Sequence, residues 1–214
     1  MQENSIPTSP EQIRSRVVEL IARLFCALLY VYFCRAALAS FLNTQNVPVL
    51  LLLIAETMTM FLIITARFPA AVNRSLYAST ITIAGSFYFV LVNVSDGMRL
   101  VPVSITVVLQ LSGLMLQIIA KVHLGRSFGL VPANRGIVTS GPYRLVRHPI
   151  YVGYFLTHVG FVLSMWSLHN FCVYALLNTL QCLRIREEEK LLRQDQSYQE
   201  YADSVRYRFI PLVV

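Results

Sequence analysis

The sequence has little charge. Charged residues make up 14% of its 214 residues, whereas hydrophobic residues make up 56%. A soluble domain usually carries about 25% charged residues. So low a charged fraction excludes intrinsic disorder and argues against a soluble two-domain enzyme. The surplus of apolar side chains must face something other than water, in agreement with the mean hydropathy of +0.58.

Several sequence patterns of metal and nucleotide sites are missing as well. The four cysteines show no CxxC spacing, and neither HxxxH nor HExxH occurs. These absences argue against a metal site. The sequence also lacks a GxSxG elbow, a Walker A loop and a GxGxxG motif after a strand, so the common serine-hydrolase, P-loop and Rossmann sites are excluded.

Long apolar runs account for most of the hydrophobic residues. A helix needs about 20 mostly apolar residues to cross a bilayer. Six candidate segments occur in the order Val17–Leu42, Val47–Thr65, Leu76–Val94, Val101–Ala120, Ile150–Trp166 and Asn170–Leu183. They predict an all-α, polytopic membrane bundle of about five to six transmembrane segments. The last two segments are short and close together, which predicts a helical hairpin with its turn at residues 167–169.

The charges in the loops predict an orientation for this bundle. Basic loops alternate with loops of little net charge, and the basic ones share a side with both termini. The positive-inside rule therefore predicts a multi-pass membrane protein with its polar loop, its tail and its active site in the cytoplasm. Only two of the 18 basic residues are lysine, a bias that favours a bacterial inner membrane; a eukaryotic source would imply the endoplasmic reticulum. Anionic lipid headgroups explain the net charge of +7 better than nucleic acid does.

The polar residues divide the chain into two parts. Residues 1–120 comprise four membrane segments, whereas residues 121–214 hold 11 of the 18 basic residues and all four histidines. We therefore expect the second part to be the catalytic half, with a cofactor-binding loop, the helical hairpin and a C-terminal helix. A cofactor would bind at the membrane surface.

The first candidate site is the stretch from Gly141 to Gly153. Pro149 suits the first position of a helix, where a missing N–H costs nothing. His148 would then occupy the N-cap, and Tyr151 would lie over the first turn. The free N–H groups of a helix start favour a carboxylate. The plainer alternatives are that His148 only caps the helix and that the tyrosines form an interfacial aromatic belt.

The second candidate site is the end of the last apolar segment. Arg184 and Glu188 are four residues apart and share a helix face. The plainer alternative is a solvated helix end. Within the membrane segments, Glu56 raises a functional hypothesis because intramembrane charge is costly, whereas His158 is expected to be a core histidine.

These two motifs resemble one family of enzymes. From about Leu124 to Val214 the chain is similar to the membrane methyltransferases of the isoprenylcysteine carboxyl methyltransferase and phospholipid N-methyltransferase group. The motifs are Val138-Thr-Ser-Gly-Pro-Tyr-Arg, then Arg147-His-Pro-Ile-Tyr-Val-Gly, then Arg184-x-x-x-Glu188-Glu189. The tail Val205-Arg-Tyr-Arg-Phe-Ile-Pro211 completes the pattern.

The resemblance implies S-adenosyl-L-methionine as the cofactor and a hydrophobic or lipid-like methyl acceptor. It implies that Glu188 contacts the charged end of the cofactor and that Arg184 is catalytic and faces the acceptor. The residues that it implies for the cofactor pocket are Gly136, Ile137, Val138, Tyr143, His148, Pro149, Ile150 and Tyr151.

Several alternatives stay open at this stage. The acceptor could be an isoprenylcysteine carboxylate, a phospholipid amine or another small hydrophobic molecule. Membrane sterol reductases, which bind NADPH, have a similar tail but are usually much longer. A non-catalytic membrane scaffold is the third possibility, and the oligomeric state is not readable from the sequence.

Overall fold

The computed structural model describes residues 10–65, 71–72, 77, 80–81, 84–85, 88–95, 97–127, 133–134 and 136–209. Helices dominate this part of the chain. They are α1 (Pro10–Thr44), α2 (Val47–Thr65), α3 (Val103–Leu124), α4 (Pro149–Ser164), α5 (Leu168–Leu192) and α6 (Gln196–Ser204). Short 3-10 segments occupy Tyr88–Leu91, Gly125–Ser127 and Gly141–Arg144. Ala71–Val72 pairs antiparallel with Ala133–Asn134.

Among the described residues, three helices are long and apolar enough to cross a membrane. They are Arg23–Thr44 within α1, all of α2 and all of α3. Helix α4 is apolar but has only 16 residues. The predicted segment Val47–Thr65 has the same bounds as α2, whereas the predicted segment Leu76–Val94 lies partly outside the described residues.

The predicted helical hairpin is present as α4 and α5, but two of its boundaries differ. The turn lies at Met165–Ser167, two residues earlier than expected. The second helix of the hairpin, α5, does not end at Leu183 but continues to Leu192. Asn170 explains the turn: its side-chain amide donates to the carbonyl oxygens of Met165 and Asn93, each at 2.9 Å.

Helix α3 has the inverse of the amphipathic pattern of a soluble helix. Its exposed face carries large apolar side chains, namely Val108, Leu111, Met115, Ile119 and Val122. Its buried face carries small or polar ones, namely Thr106, Gln110, Gly113, Gln117, Ala120 and Lys121. Lipid is a good solvent for the first face and a poor one for the second. The pattern therefore supports a membrane protein.

Helices α3 and α4 approach each other very closely along this buried face. A Cβ atom on Gly113 would lie 2.6 Å from the carbonyl oxygen of Gly153, and one on Gly153 would lie 2.6 Å from Cγ of Gln117. Gly160 meets Gln110 in the same way at 2.7 Å. The side chain of Gln117 donates to Thr157 Oγ1 at 3.0 Å. Small residues and an interhelical hydrogen bond are the usual means of helix association in lipid.

This contact yields the first prediction. In Gly113→Leu the new side chain has no space, so the two helices must separate, and we expect about 3 kcal/mol of destabilisation. The measurement is the melting temperature in detergent. The neighbouring substitution Ser112→Leu is the control, because Ser112 is exposed and a leucine there faces lipid. Equal melting temperatures for the two variants would refute the close contact.

Candidate active site

The candidate site lies where the start of α4 faces the end of α5. Pro149 is the first residue of α4 and His148 is its N-cap, as expected. The hydroxyl of Tyr151 donates to Glu188 Oε2 at 3.2 Å. The guanidinium of Arg184 lies over the ring of the same tyrosine, with Cζ 5.9 Å from the ring centroid. Tyr151 therefore brings together the two charged residues that were predicted to share a face of α5.

The other predicted pocket residues form a largely hydrophobic wall beside this point. Tyr143 and Ile150 are buried in it, together with Tyr198, Tyr201 and Ala202 of α6. Ile137 and Val138 are half-buried and pack against the same cluster. The hydroxyl of Tyr201 donates to the carbonyl oxygen of Tyr143 at 2.7 Å. Burial raises the pKa of Tyr201 to about 12, so this donor keeps its proton.

Two glycines allow the loop before α4 to take its path. Gly141 has a φ of +60°, and a Cβ atom there would overlap the ring of His123 at the end of α3. Gly136 has a φ of +102° and lies exposed at the edge of the wall. Both backbone conformations favour glycine.

Tyr143 is deeply buried, and its hydroxyl finds no hydrogen-bond partner among the described residues. Burial raises the pKa of Tyr143 far above its usual value.

Glu189 is the centre of a buried ionic cluster that sequence reasoning did not assign. Its carboxylate lies 3.2 Å from Arg147 Nε and 3.3 Å from His148 Nε2, and it accepts from Arg208 Nε at 2.9 Å. The side chain of Glu189 is 5% exposed. His148, expected to line the cofactor pocket, thus pairs with this glutamate, and it does not cap α4 with its side chain.

The cluster attaches the C-terminal tail to the motif before α4. The backbone N–H of Arg147 donates to the carbonyl oxygen of Tyr207, and that of His148 donates to Arg208, both at 2.9 Å. Two N–H groups just before α4 are therefore used by the tail. The sequence did contain a signal for an ionic cluster, because the glutamate run contains more than one acid and the tail contains arginines. The sequence did not show which glutamate the arginines would contact.

Lys121 is a second residue that the sequence did not assign to a site. It is 1% exposed. Its ammonium donates to Thr59 Oγ1 at 2.9 Å and to Gln117 Oε1 at 3.3 Å, and it lies 5.0 Å from the ring centroid of Tyr154. These contacts join α2, α3 and α4 beside Tyr154. The sequence did not indicate this burial, because a lysine at the end of an apolar run usually extends toward the membrane interface.

The pKa of Glu189 has a clear direction. Burial would raise it, but the hydrogen bond with His148 and the charges of His148, Arg147 and Arg208 lower it below the usual value. A carboxyl group with a lowered pKa in the folded state contributes stability above its unfolded pKa of about 4.3. That contribution is lost as the pH falls through the lowered pKa.

Glu189→Gln tests this cluster. The substitution keeps the shape but leaves buried cations without a counter-charge, so we expect a loss of about 3 kcal/mol of unfolding free energy at pH 7. The measurement is the melting temperature in detergent as a function of pH. The difference from the wild type should shrink below pH of about 4, where Glu189 in the wild type becomes protonated.

Glu200→Gln is the matched control for this measurement. Glu200 is exposed and accepts a hydrogen bond from Gln196 one turn earlier in α6. We expect a change of less than about 0.5 kcal/mol. A Glu189→Gln variant as stable as this control at pH 7 would contradict the role of Glu189.

Comparison with known proteins agrees with the motifs. A search of curated proteins finds no match to the chain. Residues 105–194 match the model of the isoprenylcysteine carboxyl methyltransferase (ICMT) family. This range runs from the third residue of α3 to two residues beyond α5, and it contains Tyr143, Tyr151, Arg184 and Glu188. The match supports a membrane methyltransferase. Over residues 105–194, under half of the chain, the similarity to the ICMT family that the motifs predicted is thus confirmed.

Proposed function

We propose that the protein is an integral-membrane methyltransferase that uses S-adenosyl-L-methionine and acts on a hydrophobic, lipid-like acceptor. Carboxyl O-methylation of the isoprenylcysteine type and phospholipid N-methylation are the two leading forms of this reaction. The observation that carries the proposal is the convergence of Arg184 and Glu188 on Tyr151, at the start of α4 and inside the matched range.

The chemistry of the residues fits this cofactor. S-adenosyl-L-methionine carries an ammonium, a carboxylate, an adenine and a sulfonium. Glu188 is a partner for the ammonium, and the N–H of Ile150 in the first turn of α4 is a partner for the carboxylate. The rings of Tyr143 and Tyr151 suit the adenine and the sulfonium. The buried hydroxyl of Tyr143, without a partner among the described residues, is a further donor in the same wall.

The protein's own contribution to the reaction is alignment. The bound cofactor supplies an activated methyl group, which passes in line to a nucleophile. Arg184 would hold and orient an anionic acceptor, and the hydrophobic wall would exclude water. A carboxylate acceptor needs no base, whereas an amine must lose a proton. His148 pairs with Glu189, which makes it a positioning residue for the start of α4 in this proposal.

Glu188→Gln tests the cofactor assignment. The substitution removes the negative charge but keeps a polar group beside Tyr151, so we expect S-adenosyl-L-methionine to bind at least about tenfold more weakly. Calorimetry in detergent measures the affinity. Glu187→Gln is the control, because Glu187 pairs with Lys190 on another side of α5. Unchanged affinity in Glu188→Gln would refute the assignment, and binding of NADPH alone would favour a reductase.

Arg184→Gln tests the acceptor assignment. We expect near-normal affinity for S-adenosyl-L-methionine but at least about 100-fold slower methyl transfer, because the acceptor is no longer aligned. The assay uses methyl-labelled cofactor and a membrane lipid extract. Arg186→Gln is the control, because Arg186 is exposed on the same helix. Loss of cofactor binding together with transfer would count against a separate acceptor role.

A further inference from the structure

A second polar cluster lies deeper in the bundle than Tyr151. It consists of Glu56 on α2, Tyr88 in the first 3-10 segment, His158 on α4 and Tyr174 on α5, and we call it the inner cluster. His158 and Tyr174 are each 2% exposed. His158 and Tyr174 lie within the residues that match the family, whereas Glu56 and Tyr88 lie outside them. Buried polar groups at this depth are costly, so each needs a reason.

The hydrogen bonds of the inner cluster determine the proton positions on His158. The hydroxyl of Tyr88 donates to Glu56 Oε1 at 2.5 Å, and its oxygen lies 3.2 Å from His158 Nε2. A hydroxyl has one proton, and that proton is used by Glu56. Nε2 of His158 must therefore be the donor to Tyr88, which leaves Nδ1 as an unprotonated acceptor.

Two polar atoms of the inner cluster lack a hydrogen bond. Neither His158 Nδ1 nor the hydroxyl of Tyr174 has a hydrogen-bond partner among the described residues. Their rings are neighbours, with centroids 4.9 Å apart. Leaving such atoms unpaired costs about 1–3 kcal/mol each. A group that donates to Nδ1 and accepts from Tyr174 would satisfy both atoms.

A row of aromatic rings connects the inner cluster with the candidate active site. The ring of Tyr154 stacks on His158, with the planes 4° apart and the centroids at 6.0 Å. The same ring meets Tyr151 edge-on, also at 6.0 Å. Tyr151 in turn donates to Glu188. The two unpaired atoms therefore belong to rings that continue this row away from Tyr151.

We propose that His158 and Tyr174 form a recognition site for an uncharged hydroxyl, thiol or amine group of the hydrophobic acceptor. Such a group donates to Nδ1 and accepts from the Tyr174 hydroxyl. A carboxylate does not fit, because it has no proton to donate to Nδ1. The role of this site in turnover rests on the proposed methyltransferase function, but the binding of the group does not depend on it.

The experiment compares three probes with the same alkyl chain. They are 1-dodecanol, dodecyl methyl ether, which lacks the donor, and dodecanoate. The protein is used whole, in nanodiscs and loaded with S-adenosylhomocysteine, with empty nanodiscs as the blank. We expect calorimetry to show 1-dodecanol binding at least about tenfold more tightly than either of the others. Equal affinities, or no binding of any probe, would overturn the proposal and leave a buried water as the partner of the two atoms.

Two variants assign the preference to the inner cluster. Tyr174→Phe removes one hydroxyl and His158→Phe removes the acceptor, and each should reduce the preference for 1-dodecanol to less than about threefold. Tyr32→Phe is the control, because Tyr32 is 64% exposed. The affinity for S-adenosylhomocysteine, measured in the same samples, reports folding and the proposed cofactor function separately. A preference that persists in both variants would overturn the assignment, whatever the cofactor affinity.

Discussion

The close contact between α3 and α4 is the constraint on which the rest of the structure depends. In lipid, apolar side chains gain nothing by leaving the solvent, so helices associate through small residues and hydrogen bonds. Gly113, Gly153 and Gly160 permit the approach, and Gln117 with Thr157 hydrogen-bonds across it. This contact brings Lys121 under Tyr154 and holds the start of α4 opposite the end of α5. Both the candidate active site and the inner cluster are built on that arrangement.

Neighbouring glutamates at the end of α5 serve different purposes because a helix turns by about 100° per residue. Glu189 faces the tail and pairs with Arg147, His148 and Arg208 in a buried cluster. Glu188 faces Tyr151. One acid therefore belongs to the buried cluster, and the adjacent acid is the one that we propose to contact the cofactor. A buried carboxylate surrounded by several cations is costly to disrupt, which explains why the tail segment before residue 210 is held against the motif that precedes α4.

The polar residues inside the bundle form two groups, which differ in whether all their polar atoms have hydrogen-bond partners among the described residues. Lys121 makes two hydrogen bonds and one cation–π contact, and so needs no ligand. His158 and Tyr174 each keep one polar atom unpaired among the described residues. The first group binds three helices together. The second group is where a polar part of a ligand would gain most by binding, because the cost of burial is already paid by the fold.

The sequence by itself determined the class of the protein and the elements that carry the site. Apolar length located α2 to the residue and placed α1 and α3 closely, and the Pro149 pattern located the start of α4. The motif residues around Tyr143 and Tyr151 pointed to the family that residues 105–194 match. These properties depend on runs and spacings of residues that are close in the chain, so they are readable without tertiary structure.

Only the tertiary structure decided which of these residues meet. His148 is the N-cap of α4, but its side chain contacts Glu189. The predicted core histidine His158 belongs to a hydrogen-bonded series that reaches Glu56 on another helix. Hydropathy did not reveal that the buried face of α3 is its polar one. These outcomes depend on how the helices rotate and approach each other. Glycine contacts and hydrogen bonds between residues about 40 to 100 positions apart set that arrangement. No spacing rule for a single helix applies over such a separation.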